Sequence, residues 1–553
     1  MRARARSPWA AFLALLFGSA LLFVPSLGAR DFWYPDEPHI GEVPRAMYVS
    51  GDWVAPRSNG EIWVDYPPLL YWAGNLTSHL LGELSEFSLR LASALGAIAL
   101  VLVTFLAGAR ALGTRAGLWA GVILMTSSQF VYGAISYRPD MLFSLAIGAG
   151  LLSYAAGFGR CPSRAWRVAG FALFGLAILG KGPLGLLLPG LILAGWHATR
   201  REWRALFTLA PLSLIALAVA APWYLACARA MGPDVFWGEV LAQNLGRFGS
   251  GSRGHEKPFY YYLYALWINL GPWLFALPFA LRWLVRGGMT RDRNVQLALW
   301  WFGASVLFLS AAATKREVYL MPAYPAAALL LAAWFARPIE ASRTRADRAL
   351  ARGLAGIAFA IAGVLVLAGS NMEWIIRQVD VTPVGADGMR AAGIPLVGTG
   401  ILSLVLARWI GRAAWSARPA VAYPRVALCL IPFYLSIQAW ITPALNTHKS
   451  YVPQCEWIAS QIGESTHVGL YVPERLRRKR GAFGFYTRRL VRIVDSPEAL
   501  EAFFREHPES IGLVSHSMGL DTVEQVPAAQ VVRDFEIGRY PYYAVQVVAA
   551  DLL

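Results

Sequence analysis

Acidic and aromatic side chains alternate along residues 31–72, between the first apolar segment and the rest of the chain. Asp36 and Glu37 follow Pro35 close to the end of that segment. Charges at membrane depth are costly, so ionisable side chains there are candidates for function. The alternative is an interfacial belt of aromatic residues with solvated carboxylates between them. The density of both residue types favours a chemical site.

Asp140 is a further carboxylate, which follows Arg138 and Pro139 at the head of another apolar segment. An acid at a helix N-terminus also suits the helix dipole, which is the alternative explanation for this residue. Two carboxylates on one face could divide proton transfer, one as general base towards an acceptor hydroxyl and one as the group that orients it. The predicted catalytic residues are Asp36, Glu37 and Asp140.

Basic residues at the ends of several apolar segments could bind a phosphate group. Lys181 lies in the GKGP turn that divides one apolar run, and Lys315 and Arg316 lie in the TKRE turn before another. Long basic side chains also reach the interface without binding a ligand. Guanidinium and ammonium groups can, however, hold an anionic leaving group and stabilise its developing charge. The predicted phosphate-binding residues are Arg138, Lys181, Lys257, Lys315 and Arg316.

A metal site is a weaker possibility. His255 follows a glycine- and serine-rich loop at residues 247–254, and a carboxylate such as Asp65 could join it as a ligand. Zinc and related ions accept both ligand types, although the two residues lack the spacing of a ligand motif. Asp65 and His255 are therefore the candidates for a divalent metal, and no other cofactor is indicated.

Apolar runs of helix length recur along most of the chain, which has 553 residues, 56% of them hydrophobic and 15% charged. This composition is typical of a polytopic membrane protein and predicts a mainly α fold of about thirteen transmembrane helices. The net charge of +16 falls in short clusters between the runs rather than on one face, which argues against nucleic acid as a partner. The predicted spans lie at residues 9–27, 87–111, 117–137, 139–157, 166–180, 183–198, 205–228, 259–285, 296–313, 318–336, 351–370, 393–411 and 424–443.

Arginine clusters occupy every second loop between these spans, beginning with the three arginines of residues 1–6. Cytoplasmic loops are enriched in Lys and Arg, so the N-terminus is predicted to be cytoplasmic and the first span uncleaved. The candidate acids and cations then face outwards. With an odd number of spans, the C-terminus lies outside as well.

The composition becomes that of a soluble protein after residue 446. Strands are predicted at residues 467–472, 490–494, 512–515 and 543–548, and helices at 452–462 and 497–506. The predicted domains are a transmembrane domain at residues 1–446, whose first outer loop is 29–86, and a small extracytoplasmic α/β domain at 447–553. No glycine-rich nucleotide-binding loop is visible in it.

The stretch WYPDEPHIGEVPRAMYVSGDWVAPRSNGEIWVDYPPLLYW resembles the first outer loop of the bacterial 4-amino-4-deoxy-L-arabinose lipid A transferases. These proteins and the protein O-mannosyltransferases belong to one superfamily of C-type membrane glycosyltransferases. PDE, R-x-M-x-x-S-G-D-W and P-P-L-x-Y-W align in order, and RPD, GKGP, HEKPFYYY and K-x-x-x-Y-L-x-P-x-Y-P are also similar. The resemblance covers most of the chain up to about residue 336.

The resemblance implies a glycosyltransferase of the bacterial inner membrane. It would move a sugar, with inversion, from a polyprenyl-phosphate carrier to a lipid A-type or other cell-envelope acceptor on the outer face. Asp36 would take the acceptor proton, Asp140 would be the second acidic position, and Lys181 would face the donor phosphate. Asp65 and His255 would match positions implicated in metal or substrate binding.

The chain departs from the arabinose transferases at two positions. Pro38 and His39 stand where those enzymes carry a basic residue, and Tyr66 stands where they carry a lysine. Both positions bear on recognition of the carrier phosphate and the sugar. The predicted substrate-binding residues are His39, Tyr66 and Arg247.

Two other functions compete with transfer to a lipid. A protein O-mannosyltransferase-like enzyme would pass the sugar to a protein, so labelled sugar would move into the protein fraction. A transporter or flippase would more often place broken helices and charges near the bilayer midplane. The charges of this chain gather in loops on one face, which favours an enzyme whose partners are a lipid-linked donor, an envelope acceptor and membrane lipid.

Overall fold

The computed structural model describes residues 7–159, 162–249, 256–338, 344–379, 383–538 and 540–547, with the side chains of all of these except 242–249, 384 and 447. The chain is mainly helical, with a two-stranded hairpin near its start and a five-stranded sheet near its end. These features agree with the predicted mainly α fold and its small C-terminal α/β region.

The helices before residue 160 contain the first apolar segment and the acidic stretch. They are α1 (Pro8–Phe23), α2 (Glu37–Ser50), α3 (Leu69–Leu81), α4 (Glu86–Leu112), α5 (Thr114–Met125), α6 (Ser128–Ala134) and α7 (Pro139–Ala156). The hairpin β1 (Arg57–Ser58) and β2 (Glu61–Ile62) separates α2 from α3. A capping box begins α4, in which Ser85 Oγ accepts from the Ser88 amide at 3.2 Å and Ser88 Oγ accepts from the Ser85 amide at 2.9 Å.

The helices of the central part of the chain are α8 (Arg164–Lys181), α9 (Leu184–Thr199), α10 (Trp203–Phe207), α11 (Leu209–Met231), α12 (Pro233–Gly249), α13 (Tyr261–Asn269), α14 (Leu277–Arg286), α15 (Arg293–Ala311) and α16 (Tyr324–Phe335). A short 3₁₀ helix, Glu317–Ala323, leads into α16. The later helices are α17 (Arg345–Ser370), α18 (Met372–Gln378), α19 (Pro383–Ala414), α20 (Ala422–Ser436), α21 (Thr442–Lys449), α22 (Val452–Gln461), α23 (Arg480–Thr487), α24 (Pro497–Glu506) and α25 (Asp521–Glu524).

Eight helices of the described residues are long and apolar enough to cross a membrane, and one bent pair would make nine. The eight are Glu86–Leu112, Pro139–Ala156, Trp203–Met231, Arg293–Ala311, Glu317–Phe335, Arg345–Ser370, Gly385–Ala414 and Pro419–Asn446. The chain is therefore a multi-span membrane protein. Pro8–Phe23, Thr114–Met125 and Leu184–Thr199 are also apolar but are shorter than a full span.

Two predicted spans are broken in the structure. The span at 259–285 bends by 116° between Tyr261–Asn269 and Gly271–Arg286. Gly271 has φ +56° there, a conformation that costs glycine little. The span at 117–137 is interrupted between α5 and α6, where the Thr126 hydroxyl donates to the Val122 carbonyl at 2.6 Å and the Ser127 hydroxyl to the Ile123 carbonyl at 2.7 Å.

The C-terminal unit, residues 452–547, is built on a sheet with the strand order β4-β3-β5-β7-β6. Its strands are β3 (Val468–Tyr471), β4 (Val491–Val494), β5 (Ile511–Ser515), β6 (Ala529–Ile537) and β7 (Tyr540–Val547). β3 runs parallel to β4 and β5, whereas β7 is antiparallel to β5 and β6. The sequence did not predict β6, because it is an edge strand whose exposed, partly charged side chains lack a clear apolar alternation.

Candidate active site

Asp36 lies at the start of α2, and two arginines from distant parts of the chain hold its carboxylate. Arg316 Nη1 donates to Oδ1 at 3.0 Å and Arg316 Nη2 to Oδ2 at 2.6 Å. The guanidinium of Arg138 forms an ion pair with the same Oδ2. Two guanidinium groups around one carboxylate leave an excess of positive charge, so the cluster attracts a further anion.

A cavity of about 370 Å³ opens beside this carboxylate. Arg30, Arg138 and Lys449 supply positive charge to its lining, and Tyr132 and Tyr434 supply aromatic surface. The lining thus combines the groups that bind an anionic head with surface that suits a sugar or a lipid chain.

Asp140 and Lys181 form a second ion pair near the first. Asp140 begins α7 and is buried, and the ammonium group of Lys181, at the end of α8, contacts its Oδ1. The chain can turn sharply after Lys181 because Gly182 adopts φ +66°. Burial and the charge of Arg316 lower the pKa of Arg138 to about 10, while Asp140 acts in the opposite direction. The two ion pairs therefore share one electrostatic environment.

Glu37 is committed to holding the loop together. Its buried carboxylate accepts from Arg90 Nε at 2.8 Å, from Arg90 Nη2 at 3.1 Å and from the amide of Tyr137 at 3.0 Å, and it pairs with Arg30. Burial raises the pKa of Glu37, but the two arginines outweigh it and bring the value down to about 2. These contacts anchor Glu37 in the first outer loop, and its predicted catalytic role stays a prediction.

Lys315 and Lys257 lie together but do not join the carboxylates. The buried Lys315 ammonium donates to the carbonyl of Lys257 at 2.8 Å and to that of Ala312 at 2.5 Å, and burial lowers its pKa. Lys257 itself is exposed. These two hydrogen bonds close the turn, and the phosphate-binding roles of Lys315 and Lys257 stay predictions.

The residues predicted to bind substrate or metal are described in part. His39 and Asp65 are neighbours, with 3.5 Å between His39 Nε2 and Asp65 Oδ2, and Tyr66 packs in the same apolar cluster as Trp63. His255 and the side chain of Arg247 lie outside the described residues. Within the described part of the chain, no group of three His, Cys, Asp or Glu side chains could hold a metal ion. His39 and Asp65 are two ligands at most, and the predicted metal site at Asp65 and His255 stays a prediction.

Three basic residues at the site were missed by the sequence analysis. Arg90 is fully buried in α4 and also donates to the carbonyls of Leu27 and Arg30 at 2.7 and 2.6 Å. Lys449 lies 4.6 Å from the centre of the Trp33 ring, and Arg30 lines the cavity. An arginine inside an apolar run is a recognisable signal for Arg90. No comparable signal exists for Arg30 and Lys449, since basic residues at span ends are common.

The sequence and the fold of the chain are similar to those of known proteins. A family model described as dolichyl-phosphate-mannose-protein mannosyltransferase matches residues 65–225. The curated undecaprenyl phosphate-alpha-4-amino-4-deoxy-L-arabinose arabinosyl transferase of Aeromonas salmonicida is 32% identical over 416 residues, which cover 73% of this chain and 74% of the relative. The chain belongs to the family of these arabinosyl transferases. This relationship confirms the resemblance drawn from the first outer loop.

The share of each relative's length that aligns with this chain differs between family members. The relative of the same name from Edwardsiella ictaluri is 33% identical over 331 residues, which cover 59% of each protein. The matched part of the chain therefore spans about three-fifths of that relative.

Solved structures show the same fold. ArnT from Cupriavidus metallidurans bound to undecaprenyl phosphate superposes with a TM-score of 0.79 at 22% identity, over 99% of both chains. The archaeal oligosaccharyltransferase AglB from Archaeoglobus fulgidus superposes with a TM-score of 0.53 at 12% identity, over 95% of this chain and 71% of AglB. The helix bundle with its C-terminal unit is thus shared across the two structures.

Proposed function

We propose that this protein is a membrane glycosyltransferase that moves a sugar from a polyprenyl-phosphate carrier to a hydroxyl group of a lipid A-type or other cell-envelope acceptor. The observation that carries the proposal is the Asp36 carboxylate, held by Arg138 and Arg316 at the wall of a cation-lined cavity. The names of the family members support the donor class, since they specify an undecaprenyl-phosphate-linked sugar.

The chemistry is a single displacement. The acceptor oxygen attacks the anomeric carbon as its proton passes to Asp36, and the bond from the anomeric carbon to the phosphate oxygen breaks. Its electron pair stays on the phosphate, so the polyprenyl phosphate leaves with one more negative charge and the sugar is inverted. Guanidinium groups aimed at that phosphate stabilise the charge as it develops.

Arg138 and Arg316 could bind either the donor phosphate or the carboxylate of Asp36, the proposed general base. In the structure both guanidinium groups are paired with the Asp36 carboxylate. A donor phosphate in the cavity competes for the same arginines. Donor binding therefore weakens the hold on Asp36 and frees an oxygen for the acceptor hydroxyl.

Lys181 and Asp140 contribute to binding of the donor phosphate. Lys181 supplies a further cation for the donor phosphate, and its ion pair with Asp140 holds the ammonium group close to Arg138 and Arg316.

His39 and Tyr66 differ from the family pattern, so we assign them to recognition of the sugar or carrier. Arg247 belongs to the same substrate-binding proposal. A divalent metal at Asp65 and His255 can be tested by adding a metal chelator to the transfer assay. If the arginines and Lys181 alone stabilise the leaving phosphate, the rate of sugar transfer should not change.

The topology follows the charge pattern of the loops. We propose thirteen spans, a cytoplasmic N-terminus, and an outer face that carries the site and the C-terminal unit. This arrangement is supported because each predicted span coincides with a helix or with helices joined at a break, including the short apolar α1, α5 and α9. Reporter fusions at residues 115, 204 and 412, in loops proposed to be cytoplasmic, should be inaccessible from outside intact cells.

The decisive experiment is transfer of radiolabelled sugar from a panel of polyprenyl-phosphate sugars, with purified protein and membrane extract. Label that moves into the lipid fraction only with the intact protein supports the proposal and identifies the donor. The match of residues 65–225 to a mannosyltransferase model favours a second candidate, a protein O-mannosyltransferase, which predicts label in the protein fraction. Absence of transfer from every donor by a folded protein would instead favour a transporter or flippase.

A further inference from the structure

Residues 31–34, which lead directly to Asp36, are attached to a part of the chain more than 400 residues later. Asn446 Oδ1, near the end of the last membrane helix, accepts from the Asp31 amide at 3.0 Å and from Trp33 Nε1 at 2.8 Å. Asn446 Nδ2 donates in return to Asp31 Oδ2 at 3.0 Å. One side chain thus fixes both the backbone and a side chain of this segment.

The C-terminal unit holds the two remaining residues of the segment. The Phe32 amide donates to Tyr486 Oη at 2.6 Å, and the Phe32 ring packs on Phe485 with 5.0 Å between ring centres. Tyr34 Oη donates to the Arg475 carbonyl at 3.4 Å. All four residues from 31 to 34 therefore have a partner within residues 446–486.

The surfaces that bring these partners together are closely fitted. α23 of the C-terminal unit packs on α2, and a methyl group at Gly481 would lie 2.7 Å from the Cα of His39. Arg480 pairs with Glu61 at 2.5 Å. The unit consequently contacts the first outer loop on both sides of Asp36.

We propose that the C-terminal unit and the end of the last membrane helix together position Asp36 for catalysis, with Tyr486 and Asn446 as the positioning residues. This inference rests on the proposed function. A general base must lie within hydrogen-bond reach of the hydroxyl it deprotonates, and a displacement of about 1 Å can cost ~100-fold in rate. The backbone of residues 31–34 leads directly to Asp36. Its Asp31 and Phe32 amides donate to Asn446 and Tyr486, while the Asp31 carbonyl accepts from Arg90 at 2.9 Å.

The variant Tyr486→Phe removes its hydrogen bond to the Phe32 amide with little change in volume, and Asn446→Ala removes the three hydrogen bonds to Asp31 and Trp33. We expect kcat to fall by about 10- to 100-fold, while KM for the donor and the midpoint of thermal unfolding change little, because the loss acts on the placement of the base. Tyr543→Phe, in strand β7 of the C-terminal unit and away from the first outer loop, is the matched control and should retain kcat. An unchanged kcat in both positioning variants would overturn the proposal, as would a parallel loss in the control.

Amide exchange in the full-length protein gives a readout that is independent of turnover. The amides of Asp31 and Phe32 should be protected in the wild type and exchange faster in Asn446→Ala and Tyr486→Phe respectively. Unprotected amides in the wild type, or equal protection in the variants, would refute the attachment. If the wild type transferred no sugar while protection behaved as expected, the proposed function would fail and the attachment would stand.

Discussion

Arg316 and Asp36 are 280 residues apart in the chain, yet they are joined by two hydrogen bonds of 3.0 and 2.6 Å. This bidentate pair brings the start of α2 to the turn before the Glu317–Phe335 span. Since Arg138 binds the same carboxylate, three separate loops meet at one point.

Asp36→Asn should abolish most of the transfer activity. The amide keeps the shape of the side chain but cannot accept the acceptor proton, and loss of a general base costs ~10²- to 10⁴-fold in rate. Transfer of labelled sugar at saturating donor measures the effect. Asp495→Asn, an exposed acid paired with Arg477 in the C-terminal unit, is the matched control. Near-normal turnover of the Asp36 variant would remove the proposed base.

Arg316→Ala should lower kcat/KM by roughly 10- to 100-fold, because a hydrogen bond to a charged group contributes ~1.5–3 kcal/mol. Arg316→Lys should recover part of this loss, since it restores the charge without the bidentate geometry. Initial rates over a range of donor concentrations separate the two variants. Arg390→Ala removes an exposed arginine paired with Glu373 and Asp387, and it should have no effect. Equal rates for all three variants would contradict a role for Arg316 in transfer.

Glu37 should make the protein acid-sensitive. Its pKa in the folded protein is about 2, below the ordinary value of 4.5, so its contribution to stability is complete above pH 4.5 and is lost as the pH falls towards 2. A difference of this size corresponds to ~3 kcal/mol. Thermal unfolding between pH 7 and pH 3 should show a decline below pH 4.5.

Glu37→Gln is the variant that isolates this contribution. It should be less stable than the wild type at pH 7, because Arg30 and Arg90 lose their buried counter-charge, and a broken buried ion pair costs about 3–5 kcal/mol. Its stability should also fall less steeply below pH 4.5. A variant that kept the wild-type dependence on pH would show that other carboxylates cause the decline.

Lys449→Met should weaken binding of the carrier phosphate. Lys449 lines the cavity beside Asp36, and replacing its ammonium group by a thioether removes one cation at nearly constant volume. We expect a loss of about tenfold in affinity for polyprenyl phosphate, which is ~1.4 kcal/mol. Titration at two ionic strengths measures this loss, and the difference between the proteins should shrink in high salt. Lys449→Arg should bind nearly as the wild type does, and equal affinity of the Met variant would exclude a role for this cation.

The sequence by itself determined the membrane class, the places of the apolar helices, most strands of the C-terminal unit and the first outer loop as the candidate site. It did not predict the helices α2 and α3 within that loop. Hydropathy and helix signals are local, so they can be read over windows of about 20 residues without knowledge of the packing. The motif around Asp36 was also readable, because a charge among aromatic residues at a membrane surface is unusual in any fold.

Only the tertiary structure decided which charges meet. Sequence reasoning placed Glu37 among the catalytic residues and Lys315 among the phosphate ligands, and both roles stay predictions. It could not show that Glu37 pairs with Arg30 and Arg90, or that the Lys315 ammonium donates to the carbonyls of Lys257 and Ala312. Which ion pairs form depends on how helices from distant segments of the chain pack together. A sequence does not show whether a given carboxylate is paired or solvated. The attachment of Asp31 to Asn446 likewise has no local signal, because the two residues become neighbours only when the last membrane helix packs against the start of the chain.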